Sequence, residues 1–275
     1  MNLAGPNGWR ATREWKDIST KWRLVPDGLR SSRPEDPFAR GWVALEAGEL
    51  GQAEDLFREA VRQRGDGNDY VALGDVFVAR RDWSGAADQF ERALLVAPLS
   101  VLAILGLAMV RAATGAADTA IAELEVLART RPGDPVVGYY LALALIARTV
   151  EVRTEGRGGQ LVISTQYQLD TCDWLAGRVL ASGTEDAQLI AAAKALQAEV
   201  RQGRELVWSE QRPTLVLAGL VLLLGVVPVL LGGLLASVPL LVAGLVLGTG
   251  LVFWLFYRYR QPAWQVALGA IAGRA

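Results

Sequence analysis

Side chains that could carry out chemistry are few in this sequence, and their spacing is unfavourable. The chain has no histidine, the commonest general base and metal ligand, and a single cysteine, Cys172. Neighbouring carboxylates occur as Glu123 with Glu125 and as Glu185 with Asp186, and we interpret both pairs as solvated helix charges. A G-x-S-x-G motif, a metal-ligand spacing and a dinucleotide fingerprint are all missing from the sequence. We therefore expect no enzyme, no metal or cofactor site and no small-molecule substrate.

One glycine-rich stretch, Gly156-Arg157-Gly158-Gly159, is a candidate phosphate cradle. It lacks the lysine and the strand-to-helix context of a P-loop, so a plain turn is the favoured interpretation. Runs rich in β-branched residues, Thr149–Thr154 and Leu161–Thr165, flank it. They predict a small β-hairpin or ordered loop over residues 150–165, inserted between paired helices.

The composition restricts the partners and the compartment. With 28 basic and 29 acidic side chains the formal net charge is −1, which gives no electrostatic case for nucleic acid. A single cysteine cannot form an internal disulfide, as suits a reducing compartment. Arginine greatly outnumbers lysine, a bias that hints at a GC-rich bacterial genome.

The elements that would position a site begin with a long uncharged run. Residues from Pro213 to Tyr257 include no Asp, Glu, Lys or Arg. A bilayer core about 30 Å thick needs roughly 20 helical residues, so this run predicts two spans and not one. We expect helices over Pro213–Leu231 and Val238–Tyr257, with the break at Gly232-Gly233 and the following Ala236-Ser237-Val238-Pro239.

Basic residues predict how this hairpin is oriented. Arg201, Arg204 and Arg212 precede it, Arg258 and Arg260 follow it, and its turn is uncharged. Because Lys and Arg collect on the cytoplasmic side, both termini and the large amino-terminal part should be cytoplasmic. Residues 1–16 show no signal-peptide core. The expected location is the inner (cytoplasmic) membrane, crossed twice.

An internal repeat occupies much of the part before the hairpin. Gly41, Ala53, Phe57 and Ala60 align with Gly74, Ala86, Phe90 and Ala93 at an offset of about 33 residues. A further step of about 34 residues brings Ala108, Gly115, Ala120 and Leu124, and another brings Leu141 and Ala142. Small residues recur where two helices cross closely, and large apolar residues where they interlock.

This pattern resembles the tetratricopeptide repeat family, whose units are helix pairs of about 34 residues. The resemblance covers about Pro37–Thr149; the second unit, Tyr70 to Pro98, is the best match, and the fourth keeps only its first helix. It implies a solenoid with a concave groove that is lined by the first helix of each unit. The implied partner-binding groove residues are Phe38, Trp42, Leu45, Asn68, Val71, Asp75, Val78, Leu102, Leu105, Met109, Tyr139, Leu143 and Ile146.

Three tryptophans mark the segment before the repeats. Trp9, Trp15 and Trp22 stand in a polar, basic stretch with several prolines. We expect this arm to dock on the repeats, because exposed tryptophans are costly; a free partner-binding element is the alternative. The groove accordingly has two possible occupants, an apolar helix or strand of a partner and the chain's own arm.

Helices are expected on both sides of a break at Gly183. Leu169, Cys172, Leu175 and Val179 share one face of the first, and Cys172 is interpreted as a buried apolar residue and not a nucleophile. Leu189, Ala193, Leu196 and Val200 continue at helical spacing, in a helix that should lead through Trp208 towards Pro213. The predicted divisions are an arm (1–36), repeats (37–149), an insert (150–165), further helices (166–212), a transmembrane hairpin (213–257) and a cytoplasmic tail (258–275).

The predicted fold class is all-α: a tetratricopeptide-like solenoid with a small inserted β-hairpin and two transmembrane helices. We interpret the chain as a membrane-anchored cytoplasmic adaptor or scaffold that recruits or assembles partner proteins at the bilayer through its apolar groove. The alternative is a subunit of a membrane complex or transport assembly, in which the hairpin forms a homo-oligomer and the repeats regulate it. Gly244 and Gly248 motivate this alternative, although packing within one hairpin explains them equally well.

Overall fold

The computed structural model describes residues 14–25, 35–156, 159–208 and 219–265. The chain forms two units, residues 1–200 and residues 201–275. The first unit begins with α1 (Glu14–Lys21) and a 3₁₀ turn, Trp22–Leu24. Four helix pairs follow: α2 (Pro37–Glu46) with α3 (Leu50–Gln63), α4 (Gly67–Ala79) with α5 (Trp83–Val96), α6 (Val101–Ala113) with α7 (Ala117–Thr130), and α8 (Pro135–Val152) with α9 (Gln166–Ala181). The helix α10 (Ala187–Arg204) comes after them.

Acidic side chains fix where several of these helices begin. The side chains of Asp36 and Asp134 accept hydrogen bonds from backbone amides at the starts of α2 and α8. Each aspartate is followed by a proline at the first helical position. Asp66 and Asp69 form a reciprocal capping box at the start of α4. These caps provide hydrogen bonds for amides that lack a partner within their own helix. The residue at which each helix begins is therefore determined by the sequence nearby.

The repeat arises from pairs of glycine and phenylalanine that face each other across the helix pairs. A Cβ atom built on Gly41 would lie 2.8 Å from the Phe57 ring, and one on Gly74 would lie 2.7 Å from the Phe90 ring. Both phenylalanines are fully buried. The prediction that small residues recur where helices cross closely is therefore confirmed. Because the first helices α2, α4, α6 and α8 contact one another in turn, they form one continuous layer.

The fourth helix pair differs from its prediction. Its second helix is present as α9 and packs against α8, but the insert separates the two helices in sequence. The insert is a two-stranded antiparallel hairpin, β1 (Thr154–Glu155) and β2 (Leu161–Val162), as predicted. The expected first strand began at Thr149, which is wrong, because α8 continues to Val152. Burial of Thr149 and its neighbours on α8 outweighs the strand preference of β-branched residues.

The second unit contains an apolar helical hairpin. A π-helical segment, Leu222–Val226, leads into α11 (Val227–Leu234), and α12 (Val238–Tyr259) follows a turn at residues 235–237. Pro228 in the first turn of α11 has no amide to donate, which accounts for the changed hydrogen-bond register just before it. The predicted break is correct in part: Ala236, at φ 49°, and Ser237 lie in the turn, and the second helix begins at Val238 as expected, but Gly232 and Gly233 are helical. Residues 213–218 of the predicted first span lie outside the described residues.

A short strand pair joins the ends of this unit and was not predicted. α10 stops at Arg204, and β3 (Leu206–Trp208) pairs antiparallel with β4 (Arg260–Pro262). The expected helix through Trp208 is therefore wrong. Leu206 and Val207 precede the tryptophan, and their β preference is expressed once a partner strand is available.

Within the described ranges, one helix is long and apolar enough to cross a membrane by length and composition alone. That helix is α8, and 72% of its apolar window is buried inside the fold. The apolar stretches of the hairpin, Gly219–Leu234 and Leu241–Trp254, are shorter by the same measure. Two transmembrane helices are accordingly not confirmed.

Candidate protein-binding groove

The groove predicted on the first helices of the repeats is occupied by the chain's own arm helix, by which we mean α1 and its 3₁₀ turn. α1 contacts α4 and α6, and the whole arm helix belongs to the first unit. Ile18 and Trp22 of this helix are fully buried, whereas Trp15 remains 42% exposed. Docking of the arm is therefore observed for its described part; Trp9 lies outside the described residues.

An ion pair lies at the centre of the contact. The Lys21 ammonium pairs with one oxygen of Asp75, and neither side chain has any exposed surface. The indole Nε1 of Trp22 donates to the other Asp75 oxygen at 2.7 Å. The same ammonium lies 4.6 Å from the centroid of the Phe90 ring, within cation–π range. A single carboxylate of α4 thus holds two consecutive residues of the arm helix.

Aromatic rings enclose the Trp22 indole. Its ring centroid is 5.1 Å from that of Trp42 and 5.9 Å from that of Phe38, in both cases edge to face. Trp15 also packs against Trp42, with ring centroids 6.0 Å apart. Edge-to-face contacts place the positive ring edge against the negative face, so they favour one orientation of the indole.

The other end of the arm helix is held by tyrosines of α8. The Tyr139 hydroxyl donates to the Asp17 carboxylate, and the Tyr140 hydroxyl donates to the Asp17 backbone carbonyl. Lys16 pairs with Asp186, a carboxylate that also caps α10 by accepting the amide of Leu189. Asp186 was interpreted as a solvated charge, which is wrong: it is 7% exposed and paired.

Burial controls the protonation of these groups. It lowers the pKa of the Lys21 ammonium and raises the pKa of the Asp75 carboxyl, because each charged form loses water, while their mutual attraction opposes both shifts. Burial, reinforced by the Asp17 carboxylate, raises the pKa of the Tyr140 hydroxyl well above its ordinary value. The charge on Asp75 is therefore opposed by its burial and supported by the Lys21 ammonium that the arm supplies.

Most of the predicted groove residues are buried, and four of them contact the arm helix. Asn68 is half-buried, and the others are buried: Phe38, Trp42, Leu45, Val71, Asp75, Val78, Leu102, Leu105, Met109, Tyr139, Leu143 and Ile146. The arm helix directly contacts Phe38, Trp42, Asp75 and Tyr139. Their role in binding a partner stays a prediction.

Sequence reasoning missed Asp17, Lys21 and Tyr140 as members of this site. The available signal was Asp75, a carboxylate among apolar positions of a helix face, which requires a buried cation or donor. The arm was recognised by its tryptophans alone, and its basic residues were given no role.

Gly244 and Gly248 face the other helix of their own hairpin. A Cβ on Gly244 would lie 2.9 Å from the Val229 amide nitrogen, and one on Gly248 would lie 3.0 Å from the Cα atom of Gly225. The two glycines thus let α12 approach the preceding helical segments closely. Packing within one hairpin accounts for them, so they provide no separate argument for a homo-oligomer.

The remaining sequence candidates have structural roles. Cys172 is fully buried on α9, and burial raises the pKa of its thiol, which makes it a poor nucleophile. Around the glycine-rich turn, the Gly156 amide donates to the Gln160 carbonyl at 2.7 Å, and Gly159 has φ 77°. These are turn features; Arg157 and Gly158 lie outside the described residues. Glu123 and Glu125 pair with arginines on neighbouring helices.

Two comparisons with known proteins gave matches to tetratricopeptide-repeat proteins. A crystal structure of a thermophilic TPR protein from Thermus thermophilus is similar at 18% identity, with 67% of this chain and 99% of that chain covered and a TM-score of 0.44. A search of curated proteins gave no match. Residues 71–135, from α4 to the start of α8, match the family model described as tetratricopeptide repeat. The match covers this part of the chain, and proteins with such repeats generally act as scaffolds for protein interactions.

Proposed function

We propose that this chain is a membrane-anchored adaptor, whose repeats bind partner proteins in the cytoplasm and whose hairpin anchors them to the inner membrane. The binding half is supported by the groove itself, which already holds one helix through a buried ion pair and two tyrosine hydroxyls. A surface with these groups is suited to a helical segment of a protein.

One observation carries the anchoring half: the hairpin exposes its large apolar side chains. Leu223, Leu230, Leu245 and Phe253 are each more than half exposed. α8 has comparable composition but is mostly buried within the repeats. A soluble protein rarely exposes so large an apolar surface, whereas a bilayer would cover it.

Membrane retention and topology test the anchoring directly. The full chain should stay in the membrane pellet after alkaline carbonate extraction. Cysteines are placed at Ser237 and at Gln261 in a Cys172→Ser background. An impermeant maleimide added from outside should label the cysteine at position 237 and not the one at position 261. Labelling of both positions from the cytoplasmic side, or recovery of the chain in the soluble fraction, would disprove a two-span anchor.

Crosslinking tests the adaptor role separately. A photoreactive residue at position 68, a half-buried predicted groove position on α4, should crosslink a specific protein in the native membrane. The same residue should lose that product when Trp42→Ala is added. An unchanged product in the Trp42→Ala background would place partner binding away from the groove.

A further inference from the structure

The contacts of the arm helix define a recognition pattern more specific than apolar burial. Asp75 receives the Lys21 ammonium on one oxygen and the Trp22 indole N–H on the other. Asp75 therefore recognises a lysine followed directly by a tryptophan. One carboxylate oxygen binds the ammonium, and the other accepts the indole hydrogen bond. A helix with only apolar side chains would leave Asp75 buried and unpaired, which is strongly unfavourable.

A second point of recognition lies one helical turn earlier. Asp17 precedes Lys21 by four residues, so both side chains lie on the same face of α1. Tyr139 donates to the Asp17 side chain, and Tyr140 to its carbonyl. Asp75 and the two tyrosines together are complementary to a helix with the sequence pattern Asp-x-x-x-Lys-Trp.

An empty groove would be costly, so release of the arm helix requires a replacement helix with matching groups. Departure of the arm helix would leave a carboxylate and two tyrosine hydroxyls without the partners that it provides. A second helix with the same groups would replace these contacts one for one. Because burial works against both charges of the ion pair, as the pKa directions of Lys21 and Asp75 indicate, the pair adds less to retention of the arm than its geometry suggests.

We propose that the groove is a receptor for a partner helix with the pattern Asp-x-x-x-Lys-Trp, and that the arm helix is an internal occupant which this partner displaces. The proposal rests on the proposed protein-binding role of the repeats and is independent of the membrane anchor. Selectivity comes from Asp75, which requires a cation and an indole donor side by side, and from the tyrosine pair on α8.

A labelled peptide tests the exchange without knowledge of the natural partner. The probe is a fluorescent peptide that copies Glu14–Val25, added to the full chain in detergent micelles and followed by anisotropy. The full chain with Lys21→Ala and Trp22→Ala should bind it about tenfold or more tightly than the wild type, because its groove is open a larger fraction of the time. Adding Asp75→Asn should remove the binding, and a peptide with alanine at its Lys and Trp positions should not bind.

Several results would overturn the proposal. The first is a variant with weakened arm contacts that keeps its helical circular dichroism but fails to bind the peptide. Binding that persists with Asp75→Asn is the second. The third is a wild-type dimer, measured by mass in detergent, that dissociates with Lys21→Ala and Trp22→Ala, because the occupant would then be the arm of a second copy.

If the variant with weakened arm contacts does not fold, amide hydrogen exchange on the wild type tests the proposal instead. Amides of the arm helix should exchange through local opening, faster than those of α4 and α6. Exchange of the arm helix only together with global unfolding would make it a permanent part of the core and would contradict displacement. These results are distinct from failure of the proposed adaptor role, which the crosslinking experiment measures.

Discussion

Asp75 shows how one charged residue can organise an otherwise apolar groove. Its two oxygens are both used by the arm helix, and its neighbours on α4 are apolar and buried. Taking two charges out of water costs several kcal/mol each, and their attraction compensates for this only while both are present. We therefore expect the pair to act mainly as a specificity element, which favours one helix in one register.

A double-mutant cycle measures this coupling. Asp75→Asn retains an acceptor for the Trp22 indole but leaves the Lys21 ammonium uncompensated, and we expect it to lower the free energy of unfolding by about 3–5 kcal/mol. Lys21→Met should have a similar cost, because it leaves the Asp75 charge without a cation and with only the Trp22 indole N–H as a donor. The double variant should return to within about 1 kcal/mol of the wild type. Urea unfolding of the full chain in detergent measures all three; additive losses would show that the two charges are not coupled in solution.

Tyr140 predicts a specific dependence on alkaline pH. Its pKa is raised above the ordinary value of about 10, so at higher pH the unfolded phenol loses its proton while the folded one keeps it. Stability from this group is thus complete below about pH 10 and falls as the pH rises, by up to about 1.4 kcal/mol per pH unit. Tyr140→Phe should lose about 1 kcal/mol at neutral pH, from its hydrogen bond, and should remove this decline.

Urea unfolding from about pH 8 to about pH 11 compares the variants over the relevant range. Tyr167→Phe, at an exposed tyrosine of α9, is the matched control and should keep the wild-type slope. Parallel pH curves for the wild type and Tyr140→Phe would show that this hydroxyl is not buried against the arm helix.

At the scale of elements, the helix pairs depend on glycines placed against phenylalanine rings. Phe90 is confined on several sides: Cβ atoms on Gly74 and Gly106 would lie 2.7 and 2.6 Å from its ring, and Lys21 lies over its face. Gly74→Ala should therefore destabilise the repeats by about 1–3 kcal/mol, because the ring has no room to move. Gly51→Ala on α3 meets no atom within 4 Å and should instead stabilise by about 0.5–1 kcal/mol. Thermal melts that shift in the same direction would contradict this packing.

The sequence predicted the elements whose causes are local. Small and large residues recur at the helix crossings, so the pairs up to α8 and the position of the insert could be read from the chain. The boundary at Thr149 could not, because burial on α8 decides between helix and strand there. β3 and β4 were missed for a similar reason: each is three residues long and exists only in its pairing with the other.

The groove side of the site was predicted, but the arm side only in part: docking through its tryptophans was expected, and its charged contacts were not. The resemblance to tetratricopeptide repeats implied that Phe38, Trp42, Asp75 and Tyr139 line the groove. The ligand side depends on a contact between residues 54 positions apart, Lys21 and Asp75, for which a single sequence gives no periodic signal. An unpaired carboxylate in an apolar row is the one indication that such a partner exists.

At the scale of the whole molecule, the two units differ in where their apolar side chains lie. The repeats bury theirs in a continuous core, and the hairpin exposes most of its own along α11 and α12. Exposure of this kind is stable in a lipid environment, where apolar side chains incur no hydration cost and helices satisfy their own backbone hydrogen bonds. The hairpin is thus the part of the chain whose stability should depend on the solvent around it.

A charge introduced into each unit tests this difference. Leu245, in α12, is 53% exposed, and Leu95, in α5, is 83% exposed. If lipid surrounds the hairpin, Leu245→Arg should cost about 2.5–3.5 kcal/mol of insertion free energy and shift much of the chain to the soluble or degraded fraction after carbonate extraction. Leu95→Arg, facing water, should leave the membrane-bound fraction unchanged. Equal retention of the two variants, or improved solubility of Leu245→Arg as a folded protein, would mean that water and not lipid covers α12.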